Sequence, residues 1–420
     1  MNALARQVRR AGGLSRNAKL YLVMTAIFGL GNGFFMLFFN LYILARGNDE
    51  AFLGLLMSLN SLSALVLGLP MGLLSDRLGR KQAMLVGLFI MVAASAVLLL
   101  SPVDWPLMMA EILLGGGNAL FMATGPAFMA ENATEDERAT LFSLQSGLMM
   151  LVAFAGSGIG GPVPALLAGL LGVPPESATA YQVTLLMATG LTGVSLIPLL
   201  MVRERARSTE RPADKQSLSL RSLPLRGDIL RLLIPQLIIG LGAALLIPYL
   251  NVFFKQRFGI TDTLLGMIFA ISQLLMGLAT LVAPMAAERW GKVRTIVFTE
   301  LASLPFLMAL GFAPLLPLVI GAFWLRAMLM NMGNPLYTAF AMEQAREEER
   351  GTVGAMLGLA WSVGWGIGPG ISGLVQRSVG FTPLFLTTGA TYLVASLLLL
   401  TFFGRVEKRP ATEPGALPAE

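Results

Sequence analysis

The sequence predicts an all-α membrane protein of twelve transmembrane helices in two pseudo-symmetric six-helix bundles, on three observations. Of its 420 residues 55% are hydrophobic and only 13% charged, about half the charged fraction of a soluble domain. The apolar residues fall into twelve long runs, and the second six runs repeat the first six in register. A hydrocarbon core about 30 Å thick takes about 20 residues per spanning helix, so a chain of this length holds a dozen spans with short connections.

The runs lie at 18–45, 51–75, 82–101, 105–130, 139–169, 181–202, 229–257, 262–287, 293–312, 315–342, 351–376 and 380–404. They divide the chain into a basic tail (1–17), a first bundle (18–202), a polar linker (203–228), a second bundle (229–404) and a tail (405–420). The first run follows Arg6, Arg9, Arg10, Arg16 and Lys19, is too long for a signal-peptide core and is expected to stay as an anchor. With the N-terminus placed inside, 25 of the 30 Lys and Arg fall on the inner side and only Arg46, Lys255, Arg257 and Arg377 on the outer. That asymmetry puts both termini in the cytoplasm and makes the net charge of +6 a topology signal, so no nucleic-acid partner is expected. Cysteine and histidine are absent, which excludes disulfides, thiol nucleophiles, imidazole catalysis and the usual zinc sites.

The repeat is read across the linker. At an offset of 212 residues Gly54, Arg77, Gly79, Glu131, Arg138, Thr140, Gly156 and Gly161 meet Gly266, Arg289, Gly291, Glu343, Arg350, Thr352, Gly368 and Gly373. At 211, Gly29, Gly31, Asn40 and Arg46 meet Gly240, Gly242, Asn251 and Arg257. Parallel six-span halves are one known transporter plan, with the substrate site between them near the midplane.

The second connection reads Gly72-Leu-Leu-Ser-Asp76-Arg77-Leu-Gly79-Arg80-Lys81. It resembles the signature loop of the major facilitator superfamily, G-x-L-x-D-R-x-G-R-K, at every defining position, and the chain as a whole resembles the bacterial twelve-span drug/proton antiporters of that family from residue 18 to 404. The resemblance implies the major facilitator fold and a cytoplasmic gate made by Asp76, Arg77 and Arg80. Glu131, Arg138, Glu343 and Arg350 are implied as charges that pair with the loop. The second copy, Glu288-Arg289-Trp290-Gly291-Lys292, is degenerate. These charges also read as topology determinants and solvated helix starts.

The fifth run carries Gly156-Ser157-Gly158-Ile159-Gly160-Gly161-Pro162 and the eleventh Gly368-Pro369-Gly370-Ile371-Ser372-Gly373. Both resemble the family's antiporter motif, G-x-x-x-G-P-x-x-G-G, although Ser157 stands at the proline and Val152 at the first glycine. The resemblance implies export by exchange; close packing through small residues is the other reading.

Three charges lie well inside runs, away from their ends: Glu111, Glu300 and Arg326. Drug exporters of the family commonly carry an Arg where this chain has Glu111, so an acid replaces that relay. An ionised carboxylate at such a position costs about 2.5 to 3.5 kcal/mol and calls for a partner, water or a proton. Glu111 and Arg326 sit at depths within about 3 Å of each other, so they are expected to be able to meet. Glu111 is read as the proton carrier, Glu300 as a lesser candidate, and Arg326 either as the neutraliser of Glu111 or as the anchor for an anionic substrate group. A static ion pair or snorkelling is the structural alternative.

Polar amides near run centres are Asn32, Asn118, Gln145, Gln273, Asn331 and Asn334. The family's cavity is lined by its first, fourth, seventh and tenth spans, which implies Asn32, Asn118 and Asn331 as substrate contacts; interhelical hydrogen bonding is equally open. Gln273, Trp361 and Trp365 join the candidate substrate site, the two tryptophans four apart and away from the interfaces where Trp collects.

No G-x-x-x-x-G-K-[ST] loop is present, so the chain carries no primary pump. The function expected is a monomeric secondary transporter of the cell's inner membrane working by alternating access, exporting amphipathic small molecules in exchange for protons. Its partners are then substrate, protons and lipids, with no cofactor and no metal. The alternatives are proton-coupled uptake or exchange of a sugar or organic anion, and, in another class, a non-transporting receptor or scaffold.

Overall fold

The computed structural model describes residues 14–132, 135–203 and 226–404. Most of the tail over 1–17, most of the linker over 203–228 and the tail over 405–420 lie outside the described residues. Within them the chain forms α1 (Arg16–Ala45), α2 (Glu50–Leu78), α3 (Arg80–Leu100), α4 (Trp105–Asn132), α5 (Thr140–Leu171) and α6 (Ala178–Leu200). The second series is α7 (Gly227–Phe258), α8 (Asp262–Trp290), α9 (Lys292–Phe312), α10 (Leu316–Gln344), α11 (Arg350–Val379) and α12 (Thr382–Phe403). Eleven of these are long and apolar enough to cross a membrane. The remaining one, α11, has the length but is diluted by glycines between Gly351 and Gly373. No strand occurs among the described residues.

The repeat is visible in the helix bounds themselves. Helices α2 and α8 begin and end 212 residues apart, as do α3 and α9. The α2–α3 and α8–α9 connections are each a single glycine, Gly79 with φ of 91° and Gly291 with φ of 88°. A side chain in that conformation is strained, which explains why the signature loop needs glycine there. Helix starts are capped in the expected way: Ser15, Asp49 and Ser177 accept from the backbone N–H three residues on. Helix α7 is interrupted at Ile247–Tyr249, where Pro248 removes a donor and leaves carbonyls free for other partners.

The described residues form two compact units. The first comprises residues 14–203 with 243–274 and 362–384; the second comprises 226–242, 275–361 and 385–404. One end of α7, α8 and α11 thus packs with the first six helices. In lipid there is no hydrophobic drive between helices, so cohesion comes from close packing and polar contacts. In the first unit Tyr21, Phe28, Met84, Phe121 and Phe128 make the core, and α3 approaches α4 where a methyl on Gly87 would sit 3.0 Å from the Gly117 carbonyl. In the second, Ile229, Leu232, Ile296, Tyr337 and Phe340 pack together, and Tyr337 Oη donates to the Leu232 carbonyl at 2.6 Å.

Candidate substrate and coupling site

Glu111 of α4 is buried, and its carboxylate accepts from Asn60 Nδ2 of α2 at 2.8 Å. The contact exists because α4 carries Gly115 and Gly116, which let α2 approach: a methyl at Gly115 would lie 3.0 Å from the Asn60 carbonyl carbon and 3.0 Å from Ser63 Cβ. Ser63 Oγ adds a 2.6 Å bond to the Ile112 carbonyl. Sequence reasoning missed Asn60. The available signal was a polar cluster, Asn60-Ser61-Leu62-Ser63, within the second apolar run.

In the second unit Arg326 of α10 is buried and donates from Nη2 to Tyr392 Oη of α12 at 2.6 Å, with the guanidinium 5.6 Å from the Tyr392 ring centre. Glu300 of α9, also buried, accepts from Ser396 Oγ at 2.6 Å, one turn along α12 from Tyr392. Glu111 and Arg326 thus each hold a partner within their own half.

The repeat provides an internal comparison. Glu300, Arg326 and Glu111 correspond at the offset of 212 to Leu88, Leu114 and Phe323, all buried. The same helices in the other half therefore pack with an apolar side chain at each of these three positions. At each of these positions one half carries a charge where the other carries an apolar side chain.

Of the amides, Asn32, Asn118 and Gln273 are partly buried, and Gln145 donates to Tyr21 Oη at 3.2 Å. Asn331 bonds back to the Ala327 carbonyl at 2.9 Å and, with exposed Asn334 and Thr338, forms a polar stripe along α10. Trp361 and Trp365 are partly buried on one face of α11, and α7 comes close at Gly240, where a methyl would be 3.1 Å from the Trp361 carbonyl oxygen.

At the signature loop Arg80 bridges Asp76 at 2.7 Å and Glu131 at 3.2 Å. Its repeat mate Lys292 pairs with Glu343 in the same way. Arg138 and Arg350 instead cap the preceding helix ends, donating from Nε to the Ala130 carbonyl at 3.1 Å and the Met342 carbonyl at 3.2 Å. Arg77 is exposed, Gly72 partly so. Lys81 completes the corner by donating to the Leu200 and Val202 carbonyls at the end of α6, at 3.0 and 2.7 Å. This is a favourable site for a cation.

The glycine-rich motifs act at the opposite end of the first unit. A methyl at Gly266 would fall 2.5 Å from the Ser157 carbonyl oxygen and 2.6 Å from Gly161 Cα. Its repeat mate Gly54 is pressed in the same way against Pro369 and Gly373, the repeat mates of Ser157 and Gly161. Gly156 faces Gly33, Gly160 faces the Phe34 ring and Gly368 faces Ala244. Val152 fits where the family has glycine because Gly29 opposite it has no side chain. Beside these contacts Lys255 is held between Asp262 at 2.9 Å and Glu176 at 2.5 Å, and Tyr181 Oη donates to Asp262 at 3.1 Å.

A family model described as Major Facilitator Superfamily matches residues 21–240 and again residues 232–419. The inner membrane transport protein YajR of Escherichia coli (strain K12) is 29% identical over 148 residues, 35% of this chain and 30% of that protein, so the match spans under a third of that relative. The tetracycline resistance protein, class C, of Escherichia coli is 25% identical over 361 residues, 83% of this chain and 84% of that protein. Among solved structures the nucleoside transporter NupG superposes with a TM-score of 0.75 at 13% identity, covering 94% of this chain and 100% of that one. A D-xylose-proton symporter does so with a TM-score of 0.72 at 14% identity, covering 92% and 97%. At such identities the likeness is one of fold.

Proposed function

The chain belongs to the Major Facilitator Superfamily, and from that membership we propose that it exports amphipathic small molecules in exchange for protons by alternating access. The observation that carries the coupling is Glu111: a buried acid held by Asn60, at a position where the repeat mate is the buried, uncharged Phe323. A carboxyl group inside a membrane domain exists as a neutral acid or as an ion according to its surroundings, which is what a proton carrier must do. Export is supported by the tetracycline resistance relative, which matches over 83% of this chain.

In this reading the charge asymmetry places the signature loop and both termini in the cytoplasm, so the Gly266–Ser157 and Lys255–Asp262 contacts lie on the outer side. Substrate is met by Asn32, Asn118, Gln273, Asn331, Trp361 and Trp365, and Glu300 is a secondary proton site. The test is dye transport in proteoliposomes with an imposed pH gradient. Glu111→Gln is expected to abolish gradient-driven accumulation while substrate counterflow continues. Undiminished accumulation by that variant would sink the proposal.

A further inference from the structure

We infer that Arg326 is the receiving site for an acidic group on the cargo, a carboxylate, phosphate or sulfonate carried by an amphipathic molecule. This rests on the transport reading above and narrows its substrate class. Three observations within the second unit carry it.

The guanidinium is 5% exposed and incompletely satisfied: Nη2 donates to Tyr392 Oη and the Tyr392 ring lies against the cation, but Nε is buried with no partner. Among the described residues no carboxylate stands within ion-pair distance of it, and Glu300, the other interior charge of that half, is engaged with Ser396. An arginine cannot shed its proton to escape this cost, whereas a buried carboxylate can take one up. A tyrosine hydroxyl offers one lone-pair contact where a carboxylate or phosphate would offer a two-point match to the planar donor fork.

The helix position itself does not call for a cation, since its repeat mate is the buried Leu114. Finally, α10 carries water-facing polar groups near the level of Arg326. Asn331, Asn334 and Thr338 run along α10 from near its middle toward its Glu343 end as a stripe that is partly or fully exposed. Exposed amides and hydroxyls within a span face water and not lipid. Arg326 lies about 8 Å beyond Asn331 along the helix axis and roughly 140° around it, on the face that meets α12.

The test uses the purified full chain and a matched set of phenylalkyl compounds ending in a carboxylate, a phosphate monoester, a sulfonate, an alcohol or an amine. Binding is read from the thermal shift of the intrinsic tryptophan signal and needs no pH gradient. At least one acid is expected to bind saturably at least 10-fold tighter than the alcohol or amine, with that preference lost in Arg326→Gln and partly kept in Arg326→Lys. Tyr392→Phe, which keeps the cation, is expected to keep the preference and serves if Arg326→Gln fails to fold. No preference for any acid, an equal preference in Arg326→Gln, its loss in Tyr392→Phe, or the same shift from sodium phosphate alone would overturn the inference. Acid binding with no gradient-driven transport would instead remove the proton-coupled reading and leave the anion site standing.

Discussion

Asn40 and Asn251 are repeat mates 211 residues apart in sequence, and they touch: Asn40 Nδ2 donates to Asn251 Oδ1 at 3.0 Å. Each also reaches into the other half, Asn40 to the Pro248 carbonyl at 2.6 Å and Asn251 to the Leu37 carbonyl at 2.9 Å. Leu37 and Pro248 are themselves 211 apart, so the two bonds are one contact made twice around a pseudo-twofold axis. The Pro248 break in α7 leaves its carbonyl free to accept. Both asparagines are buried, so neither has water as an alternative partner.

On the alternating-access reading proposed above, in which this end faces outward, removing this knot should favour outward opening. Asn40→Ala deletes two hydrogen bonds, worth about 2 kcal/mol together, which is roughly a 30-fold change in the ratio of open to closed outer ends. The cysteine-free chain allows a clean readout: Ala270→Cys, buried against Gly158, should react faster with an impermeant maleimide in the Asn40→Ala background. The double variant with Asn251→Ala should exceed either single one by less than the sum, since the two residues share a bond. An unchanged labelling rate would mean that the knot does not hold the outer end.

The pairing of Asn40 with Asn251 was legible as a repeat match, yet nothing in one sequence says that equivalent residues lie on the axis and meet. The spans and the glycine at the Gly79 corner follow from local rules, apolar length and positive φ, and the Arg80–Glu131 pair from the resemblance of the loop to the family's signature. Asn60 and Tyr392, the partners of Glu111 and Arg326, do not. Which helix face meets which neighbour is set by packing between helices, and a uniformly apolar run carries little periodic signal to reveal it. The repeat supplied a different kind of information: at the positions of Glu300, Arg326 and Glu111 the other half carries Leu88, Leu114 and Phe323, which singles these three charges out.

The glycine contacts predict a second route to the same state. A methyl at Gly266 would overlap Ser157 and Gly161 backbone, so Gly266→Ala should push α5 and α8 apart at a cost of about 1–3 kcal/mol, or roughly 5- to 150-fold in the closed-to-open ratio. Gly54→Ala should do the same at α2 and α11, where Tyr249 Oη also lies 2.8 Å from the added methyl. Gly190, with nothing within 4 Å, is the control: its alanine variant should label like the parent and gain up to about 1 kcal/mol of helix stability. Equal labelling of all three would refute close packing as the source of closure.

The Lys255 cluster should show the asymmetry of a half-buried ion pair. Asp262 is 3% exposed and Glu176 is 59% exposed. Lys255→Met leaves Asp262 with Tyr181 alone, and breaking a buried pair from one side costs about 3–5 kcal/mol. Glu176→Gln removes an exposed partner and should cost about 1 kcal/mol or less. Lys255→Met with Asp262→Asn removes both charges and should recover most of the loss. Melting temperatures of the four proteins followed by tryptophan fluorescence decide it, and a double variant as unstable as Lys255→Met would rule out the unpaired carboxylate as the cause.

Glu111 and Asn60 should separate chemistry from positioning. In Asn60→Ala the acid remains but loses the Asn60 amide donor, a bond to a charged group worth about 1.5–3 kcal/mol when the carboxylate is ionised. Because that bond favours the ionised over the neutral acid, its loss unbalances the two states between which a carrier must cycle, and gradient-driven transport should fall roughly 10- to 100-fold. Glu111→Gln keeps a side chain of the same size that Asn60 can still bond, yet cannot cycle a proton, so it should lose gradient-driven transport altogether. Counterflow, which moves substrate without net proton movement, should survive in both. The informative quantity is therefore the ratio of driven transport to counterflow: intact in the parent, reduced in Asn60→Ala and near zero in Glu111→Gln. If counterflow falls in step with driven transport in both variants, the two residues serve the fold or the substrate and the proton is carried elsewhere, with Glu300 the next acid to test.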